Sequence, residues 1–406
     1  MSNIRRHEIL AADSPSVDGF GRWRVSSPYL LSETQNEYDE SPLFWETVLT
    51  GTGSSTHLPN ESSVRLRVAA NGDKVVRQLR QFQRYQPGRS LGVALTTVPG
   101  VATVNARARA GYFCPENGIF LEQTGSGLSL VRRTFVSGAA VDNVVLQSAW
   151  NKDKLDGTGK SKITLDPTKG QIFLIDLQWL GMGRVRLGFD IAGRVIEAHE
   201  FNNANVLSTV YMTTANLPVR YELEATGAIG GNVDLIQTCS EVVSEGGFET
   251  ERGVPVAAAM TAVKAGVGTT RVPLISIRPK STFNGRVVRG QILHESFDGL
   301  VGSGSAMFEV VYNGALTGAA FASAGSSSIS EFDTAATVIT GGMLVGAVYG
   351  SGGAVGSRGR AERDIISRLP LTLDIAGANP INLTLCGRAL TGTVDLVGAL
   401  NWRELY

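Results

Sequence analysis

The sequence predicts an all-β protein of two antiparallel β-sandwich domains, of the jelly-roll or lectin-like kind, preceded by an extended N-terminal arm. Runs of alternating apolar and polar residues recur at roughly 8–12-residue intervals, which is the spacing typical of a sandwich. The chain has 48 glycines and 14 prolines in 406 residues. Few segments show helical periodicity, with residues 360–368 the main candidate. Short turns between the runs favour antiparallel neighbours, because a parallel return needs a long crossover.

The stretch at residues 170–224 carries the clearest pattern. Its first run places Phe173, Ile175 and Leu177 on one side of a predicted strand, and a fully apolar side indicates packing on a core. The predicted strands here are residues 171–179, 184–189, 195–201, 206–213 and 218–224. We interpret this stretch as scaffold first, with the N-terminal arm and the glycine-rich loops as the working surfaces.

A chain of this length favours two domains. We place the arm at residues 1–32, the first domain at 33–240 and the second at 241–406, with a linker candidate at 244–253. Further strand candidates are residues 62–70, 91–98, 101–113, 118–122, 128–137, 141–148, 269–277, 286–296, 307–312, 343–348, 371–375, 381–390 and 393–402. Loops rich in small residues are predicted at 299–305, 314–328 and 350–359.

The N-terminal arm has turn signals and large aromatic side chains but no clear periodicity. Phe20, Trp23 and Tyr29 lie between these turns. Ordering an extended arm costs entropy unless such side chains are buried. Two alternatives remain open at this point: the arm packs on its own domain, or it docks into a neighbouring subunit.

The composition argues against several classes of protein. Lys+Arg and Asp+Glu balance at 37 each, so sequence-independent nucleic-acid binding is not favoured. No apolar stretch approaches the roughly 20 residues of a membrane span, and the start lacks the apolar region of a secretory signal. Cys114, Cys239 and Cys386 have no disulfide or zinc spacing. We expect buried, inert thiols in a chain folded in a reducing cytoplasm.

Residues 74–85 form the most basic run. Arg77, Arg80 and Arg84 alternate with apolar and aromatic side chains, which is compatible with contact to a nucleic-acid backbone. The preferred interpretation is an amphipathic strand or short helix with a solvated arginine face.

Two loops resemble ligand motifs only in part. Residues 157–161 contain the GKS end of a phosphate-binding loop, but Lys154 stands where the first glycine is needed. Residues 151–157 fail as an EF-hand, because Leu155 and Asp156 occupy its fifth and sixth positions. A loose calcium site made of loop carboxylates remains an alternative.

Asp176, Glu197, His199 and Glu200 form the best candidate for a functional cluster. Alternation puts Glu197 and His199 on the same face, where carboxylates and an imidazole could bind a metal or exchange protons. An outward polar face of a sheet needs no such role, and that interpretation is preferred. The sequence therefore predicts no catalytic, cofactor-binding or metal-binding residues. A glycan-degrading enzyme that uses Glu197 or Asp176 remains an alternative, because the carboxylates of a glycosidase meet only in space.

Several stretches resemble structural proteins of tailed-bacteriophage virions. The resemblance covers roughly residues 18–250, and in the rest of the chain it is one of texture. The similar stretches are FGRWRVSSPYLL (20–31), ESPLFWE (40–46), RQFQRYQPGRS (80–90), GYFCPENGIFLEQ (111–123), NKDKLDGTG (151–159), DLQWLGMGRVRLGF (176–189), HEFNNAN (199–205) and NLPVRYE (216–222). Residues 170–224 also resemble concanavalin- and laminin-G-like sandwiches, which bears on the fold and not on the function.

The phage resemblance implies a non-enzymatic virion component that assembles with other virion proteins and with itself, perhaps as a trimer. A tail-, baseplate- or fibre-associated position is the first expectation. A capsid-surface decoration protein is the second, and a carbohydrate-binding module for host-surface glycans is a third. No cofactor is expected.

Overall fold

The computed structural model describes Val17 and residues 28–249, 252–352 and 369–406. The chain divides into two compact units. The first comprises residues 1–79 and 85–249, and the second comprises residues 80–84 and 250–406. Phe20, Trp23 and the helix candidate at 360–368 lie outside the described residues. In the part of the chain that is described, no helix is long and apolar enough to span a membrane.

The first unit is built almost entirely from strands. Regular helix in its described residues is limited to two 3-10 turns, Pro59–Glu61 and Gln147–Ala149. The strands are β1 (Tyr29–Thr34), β2 (Trp45–Thr50), β3 (Ser54–Leu58), β4 (Ser63–Val68), β5 (Lys74–Leu79), β6 (Ser90–Val98), β7 (Ala106–Phe113), β8 (Gly118–Thr124), β9 (Gly127–Thr134), β10 (Val141–Leu146), β11 (Gln171–Leu177), β12 (Val185–Ile191), β13 (Arg194–Phe201), β14 (Val219–Ala225) and β15 (Val233–Glu245).

These strands form two antiparallel sheets that stack as a sandwich. Among the described residues, the first sheet has the order β13-β12-β11-β6-β15-β4-β3 with β1 added on β15, and the second sheet has the order β10-β9-β8-β7-β14-β5-β2. The Tyr221 hydroxyl on β14 donates to the Thr96 carbonyl of β6 at 3.2 Å, which links one sheet to the other. Phe173, Ile175 and Leu177 are buried, as their alternation predicts. The prediction of an all-β sandwich is therefore confirmed.

The predicted strand at 206–213 is wrong, because this segment is a loop. Its apolar residues anchor the loop instead of pairing it. Tyr211 and Met212 are buried, and the Tyr211 hydroxyl donates to the Gln178 carbonyl at 3.0 Å. The run after this loop forms β14, which lies in the second sheet. The stretch at 170–224 therefore supplies strands to both sheets.

The second unit is a further set of antiparallel sheets. Its strands are β16 (Val254–Ala259), β17 (Lys264–Val267), β18 (Val272–Pro279), β19 (Thr282–Phe283), β20 (Arg286–Val287), β21 (Gln291–Val301), β22 (Ser305–Tyr312), β23 (Ala315–Thr317), β24 (Ala322–Ser323), β25 (Ser330–Asp333), β26 (Val338–Thr340), β27 (Met343–Ser351), β28 (Leu383–Ala389) and β29 (Val394–Leu405). The predicted strand at 371–375 contributes a single bridge, Leu373 to Pro380.

Two of these sheets enclose one core. Within the described residues, the third sheet is β16-β29-β17 with β21 on β29, and the fourth sheet is β24-β25-β18-β28-β22-β27. Phe297 and Trp402 from the third sheet join Phe308 and Leu385 from the fourth in one buried cluster. The small β23–β26 ribbon packs Leu316 and Ile339 against a separate cluster containing Cys386.

The domain boundaries differ in detail from the predicted ones. The predicted boundary at 240/241 falls inside β15, whose register on β6 is shifted between Gln237 and Ser240. Tyr29, which the sequence assigns to the arm, begins β1 and stacks on Phe248 with ring centroids 5.3 Å apart.

The interpretation of residues 74–85 as a solvated arginine face is wrong. Arg77 is 1% exposed in the interior strand β5. Its guanidinium donates to the Gln237 side chain and to the Glu40 carbonyl, and it lies over the Trp45 ring. Burial lowers the pKa of Arg77 to about 10. The periodicity is that of a strand, but both of its faces are covered.

The expectation of buried thiols holds for Cys114 and Cys386 and is wrong for Cys239, which is exposed. Cys239 lies next to the irregularity of β15 that begins after Gln237. There the strand loses strict alternation, whereas the expectation of burial rested only on the general tendency of free cysteines to be buried.

Candidate functional site

The best candidate site lies on the outer face of the first sheet, where three charged side chains meet. Asp176 on β11 pairs directly with Arg186 on β12. The Arg186 guanidinium contacts the Asp176 carboxylate, and its Nη1 lies 3.5 Å from Glu197 Oε1 on β13. The Ser90 hydroxyl donates to the other oxygen of Asp176 at 2.7 Å. Two carboxylates of the predicted cluster therefore share one arginine.

A β-bulge separates the remaining members of that cluster. Gly188 faces Glu197, whereas Leu187 faces His199, so Ala198 is the extra residue of β13. A Cβ at Gly188 would lie 2.5 Å from the Ile196 carbonyl oxygen, so glycine permits this close approach. The bulge breaks the alternation on which the prediction rested. The prediction that Glu197 and His199 share a face is therefore wrong.

His199 is a structural residue of the interior. It is 6% exposed, its Nδ1 accepts the Asn151 backbone N–H at 3.3 Å, and its ring stands edge-on to Phe201. Glu200 instead pairs with Lys152 at 3.2 Å and with Arg184 at 3.6 Å. The imidazole and the carboxylates therefore have separate partners.

The buried imidazole makes stability depend on pH. Burial lowers the pKa of His199 to about 4, whereas the unfolded chain titrates near 6.5. Its stabilising contribution is complete above pH 6.5 and is lost as the pH falls toward 4, because the unfolded state then binds the extra proton. We expect a loss of roughly 2 kcal/mol from this residue. Hydrogen exchange of β12 and β13 peptides at pH 7 and pH 4.5 measures it.

The matched variant is His199→Asn, which keeps an acceptor near the Asn151 N–H. Protection of β12 and β13 in this variant should fall less between pH 7 and pH 4.5 than in the wild type. An identical fall in both proteins would contradict the assignment. Burial also lowers the pKa of His294 on β21 to about 4. Protection of β21 peptides should therefore fall equally in the wild type and in the variant, and these peptides serve as an internal reference.

An open cavity of about 240 Å³ lies beside the Asp176–Arg186–Glu197 cluster. Glu241 and Glu245 of β15 also line it, together with apolar side chains of the neighbouring strands. Four carboxylates and one guanidinium therefore line the same cavity. No local pattern points to these two residues of β15, because strand order, and not distance along the chain, brings them to the cavity that β11 lines.

One residue of the N-terminal arm, Val17, lies against the same guanidinium. Val17 is fully buried, and its carbonyl oxygen accepts a hydrogen bond from Arg186 Nη2. One arginine therefore binds two carboxylates and a main-chain oxygen.

Opposite charges within this cluster offset one another, and burial acts on the carboxylates as well. Burial raises the pKa of the Glu197 carboxyl, and the positive charge of Arg186 opposes part of that rise. Asp176 and Glu197 both contact the Arg186 guanidinium. The carboxylate of Glu241 is exposed and can accept hydrogen bonds from the hydroxyl groups of a ligand.

Neither motif-like loop gains a ligand set in the structure. Asp153 accepts the backbone N–H of Leu155 at 2.9 Å and that of Ser161 at 2.7 Å. Asp156 accepts the N–H of Thr158 at 2.9 Å. These carboxylates therefore stabilise their own turns. Across the described ranges, no three His, Cys, Asp or Glu side chains are grouped as a metal site would require.

A second charged network covers the outer face of the second sheet. Arg109 contacts Glu122 at 2.7 Å and Glu222 at 3.0 Å, and Arg220 contacts Glu222 as well. Burial alone would raise the pKa of Glu222, but the charges of Arg220, Lys74 and Arg109 outweigh it and hold that pKa well below its usual range. The charged side chains of this network are therefore paired with one another.

Aromatic rings lie beneath these arginines. Phe113 and Phe120 are fully buried, Arg109 and Arg133 lie over the Phe120 ring, and Arg220 lies over the Phe113 ring. Phe120 faces Gly111 across the strand pair, where a Cβ would lie 2.5 Å from the Phe120 Cα. The Phe120 ring packs over Gly111, and arginine side chains cover both rings. This packing favours a rigid outer face of the second sheet.

The fold and the site define an all-β protein of the antiparallel-sandwich class whose clustered charges neutralise one another. No protein-family model matches the sequence, and no curated protein matches it.

Solved structures with similar folds are sandwiches that match about half of this chain. A legume lectin-like domain from Entamoeba histolytica is 8% identical, covers 53% of this chain and 98% of its own, and has a TM-score of 0.32. A glycosyl hydrolase family protein from Mycobacterium fortuitum is 10% identical, with coverages of 52% and 99% and a TM-score of 0.36. A family 16 glycosyl hydrolase from Mycobacterium smegmatis is 13% identical, with coverages of 52% and 99% and a TM-score of 0.34. Values this low carry over no function.

Proposed function

We propose that this chain is a non-enzymatic structural component of a tailed-phage virion, associated with the tail, the baseplate or a fibre. The observation that carries the non-enzymatic role is the shared guanidinium: Asp176 and Glu197 both contact Arg186. The resemblance of residues 18–250 to virion proteins supports the place in a particle. Its partners are then other virion proteins and further copies of itself.

The argument against catalysis rests on what each carboxylate already binds. General acid–base chemistry needs one carboxyl that gives a proton and another that takes one. Asp176 accepts hydrogen bonds from Ser90 and Arg186, so both of its oxygens already have partners. Glu197 faces the same cation. The cluster therefore suits a scaffold, in which ion pairs fix the register of neighbouring strands.

The test is the protein content of purified particles. Density-gradient-purified phage from a lysate of a host carrying this gene is analysed by quantitative mass spectrometry, and antibodies against the chain are located by immunogold microscopy. We expect the chain in intact particles at a fixed ratio to the other virion proteins, with label on the tail. Label on the head favours the decoration-protein alternative. Absence from purified particles would overturn the proposal.

A second candidate function, glycan binding, is favoured by the cavity beside Glu241 and Glu245. Carboxylates that line an open cavity can accept hydrogen bonds from sugar hydroxyl groups. A glycan array compares the wild type with Glu241→Gln, and Glu249→Gln is the control because Glu249 does not line the cavity. The structural proposal expects no saturable binding. Saturable binding that Glu241→Gln abolishes and Glu249→Gln keeps would establish the alternative.

A further inference from the structure

Strand β27 stands at one edge of the fourth sheet. In the described part of the chain it pairs with β22 and with no further strand. Its nine residues, MLVGAVYGS, include no charged residue and no proline. An edge strand presents unpaired N–H and C=O groups, and charges, prolines or shortness normally prevent another chain from pairing with it. Strand β27 has none of these three protections.

Other edge strands of the described sheets each have at least one of them. Strands β1, β2, β10 and β13 carry carboxylates, and β17 carries a lysine. Strand β16 contains Pro255. Strand β3 has five residues and β24 has two. Among these edges, β27 is the longest strand that carries neither a charged residue nor a proline.

The side chains of β27 divide into a packed set and an open set. Val345 and Val348 pack against the core of the second unit. Tyr349 is 69% exposed and Leu344 is 48% exposed. A register shift on β22 between Val310 and Val311 marks an irregularity at Val345, so residues 346–351 form the regular part of the strand.

We propose that β27 is a self-association interface, and that a second copy of this chain pairs with it as an antiparallel strand across a two-fold axis at Val348. This register places Ala347 opposite Tyr349 of the partner subunit, and Gly346 opposite Gly350 of the partner subunit. The large ring then lies beside a small side chain on the outer face. The two copies of Val348 meet on the core-facing side, and the two sheets become one continuous sheet.

A second copy fits this edge because self-pairing of an uncharged strand opposes no like charges. Like charges directly opposite each other destabilise a strand pair, and self-pairing would create such contacts wherever a charged residue lay on the axis. A two-fold contact of this kind uses the same surface on both subunits and therefore closes at two copies. The inference goes beyond the proposed function, since the pairing holds whether or not the chain belongs to a virion.

The test is sedimentation velocity of the full chain, under reducing conditions, from about 1 to 100 μM, the range in which modest interfaces assemble. We expect the wild type to sediment as a dimer and Ala347→Lys as a monomer, because the lysines of the two copies then lie diagonally across the junction and repel each other. Ala322→Lys is the matched control: it is the same change at an exposed position on the opposite edge of the same sheet. It should remain a dimer.

Circular dichroism and thermal unfolding check that Ala347→Lys is folded, and Tyr349→Lys is a second variant at an exposed position. A wild type that stays monomeric throughout would overturn the proposal. So would a dimer, or a trimer, that Ala347→Lys and Tyr349→Lys leave unchanged.

Cross-linking tests the register. In a Cys239→Ser background, which removes the exposed thiol, the double variant Ala347→Cys/Tyr349→Cys should form a disulfide-linked dimer on mild oxidation. Either single variant should not, because each cysteine then lacks a cysteine opposite. Cross-linking in a single variant, or none in the double variant, would overturn the Val348-centred pairing.

Discussion

Replacing Glu222 by glutamine is expected to lower the free energy of unfolding of the first unit by about 3–5 kcal/mol. Glu222 is 2% exposed and contacts Arg109, Arg220 and Lys74. A neutral amide leaves buried guanidinium groups without their counter-charge, and removing one member of a buried ion pair is costly for that reason. Hydrogen exchange of β7 and β14 peptides, measured at increasing denaturant concentrations, gives the loss of unfolding free energy.

The control is Glu224→Gln on the same strand. Glu224 also contacts Lys74 and Arg107, but it lies at the more exposed margin of the network. Its loss should cost about 1 kcal/mol or less. Adding Arg220→Met to Glu222→Gln should recover part of the stability, because it removes an unpaired buried charge. Equal losses for Glu222→Gln and Glu224→Gln would contradict a buried network.

Replacing Glu404 by glutamine is expected to destabilise the second unit by about 2–4 kcal/mol. Glu404 is 1% exposed on β29. It accepts hydrogen bonds from the Ser328 hydroxyl at 2.6 Å and from the Ile329 N–H at 2.8 Å. The Trp402 indole N–H also donates to it at 3.1 Å. An amide brings its own donors against these donors, and a buried donor without an acceptor is expensive.

Glu331→Gln provides the comparison within the same unit. Glu331 pairs with Arg278 at 2.6 Å, but both side chains are partly exposed, so its loss should cost less than about 1 kcal/mol. Hydrogen exchange of β25 and β29 peptides is the measurement, because Glu404 joins these two strands. Unchanged protection of both strands in Glu404→Gln would show that the carboxylate is dispensable.

The strand pattern of this chain could be predicted wherever one face of a strand is buried and the other is wet. Residues 171–179 met that condition, and β11 lies inside the predicted range. Residues 206–213 did not, because Tyr211 and Met212 are buried as anchors of a loop. Burial of a side chain does not require that its backbone belongs to a sheet. Alternation along the sequence indicates which side chains are buried, and it does not establish strand pairing.

The candidate site was predicted only in part. Asp176 and Glu197 were identified, and the structure brings both to Arg186. His199 was placed on the wrong face because a single extra residue, Ala198, bulges from β13. Glu241 and Glu245 were missed because β15 lies beside β6 and not beside its neighbours in sequence.

The sequence by itself determined the all-β class, most of the strands and the balanced charge, because period-two alternation and turn residues act locally along the chain. Tertiary structure alone decided which strands are neighbours and therefore which charges meet. Arg77 illustrates the difference: its alternation is that of a surface residue, yet the second sheet buries it against the first. The physical reason is that a charge can be buried at low cost only where partners lie close to it. Strand order decides where those partners lie.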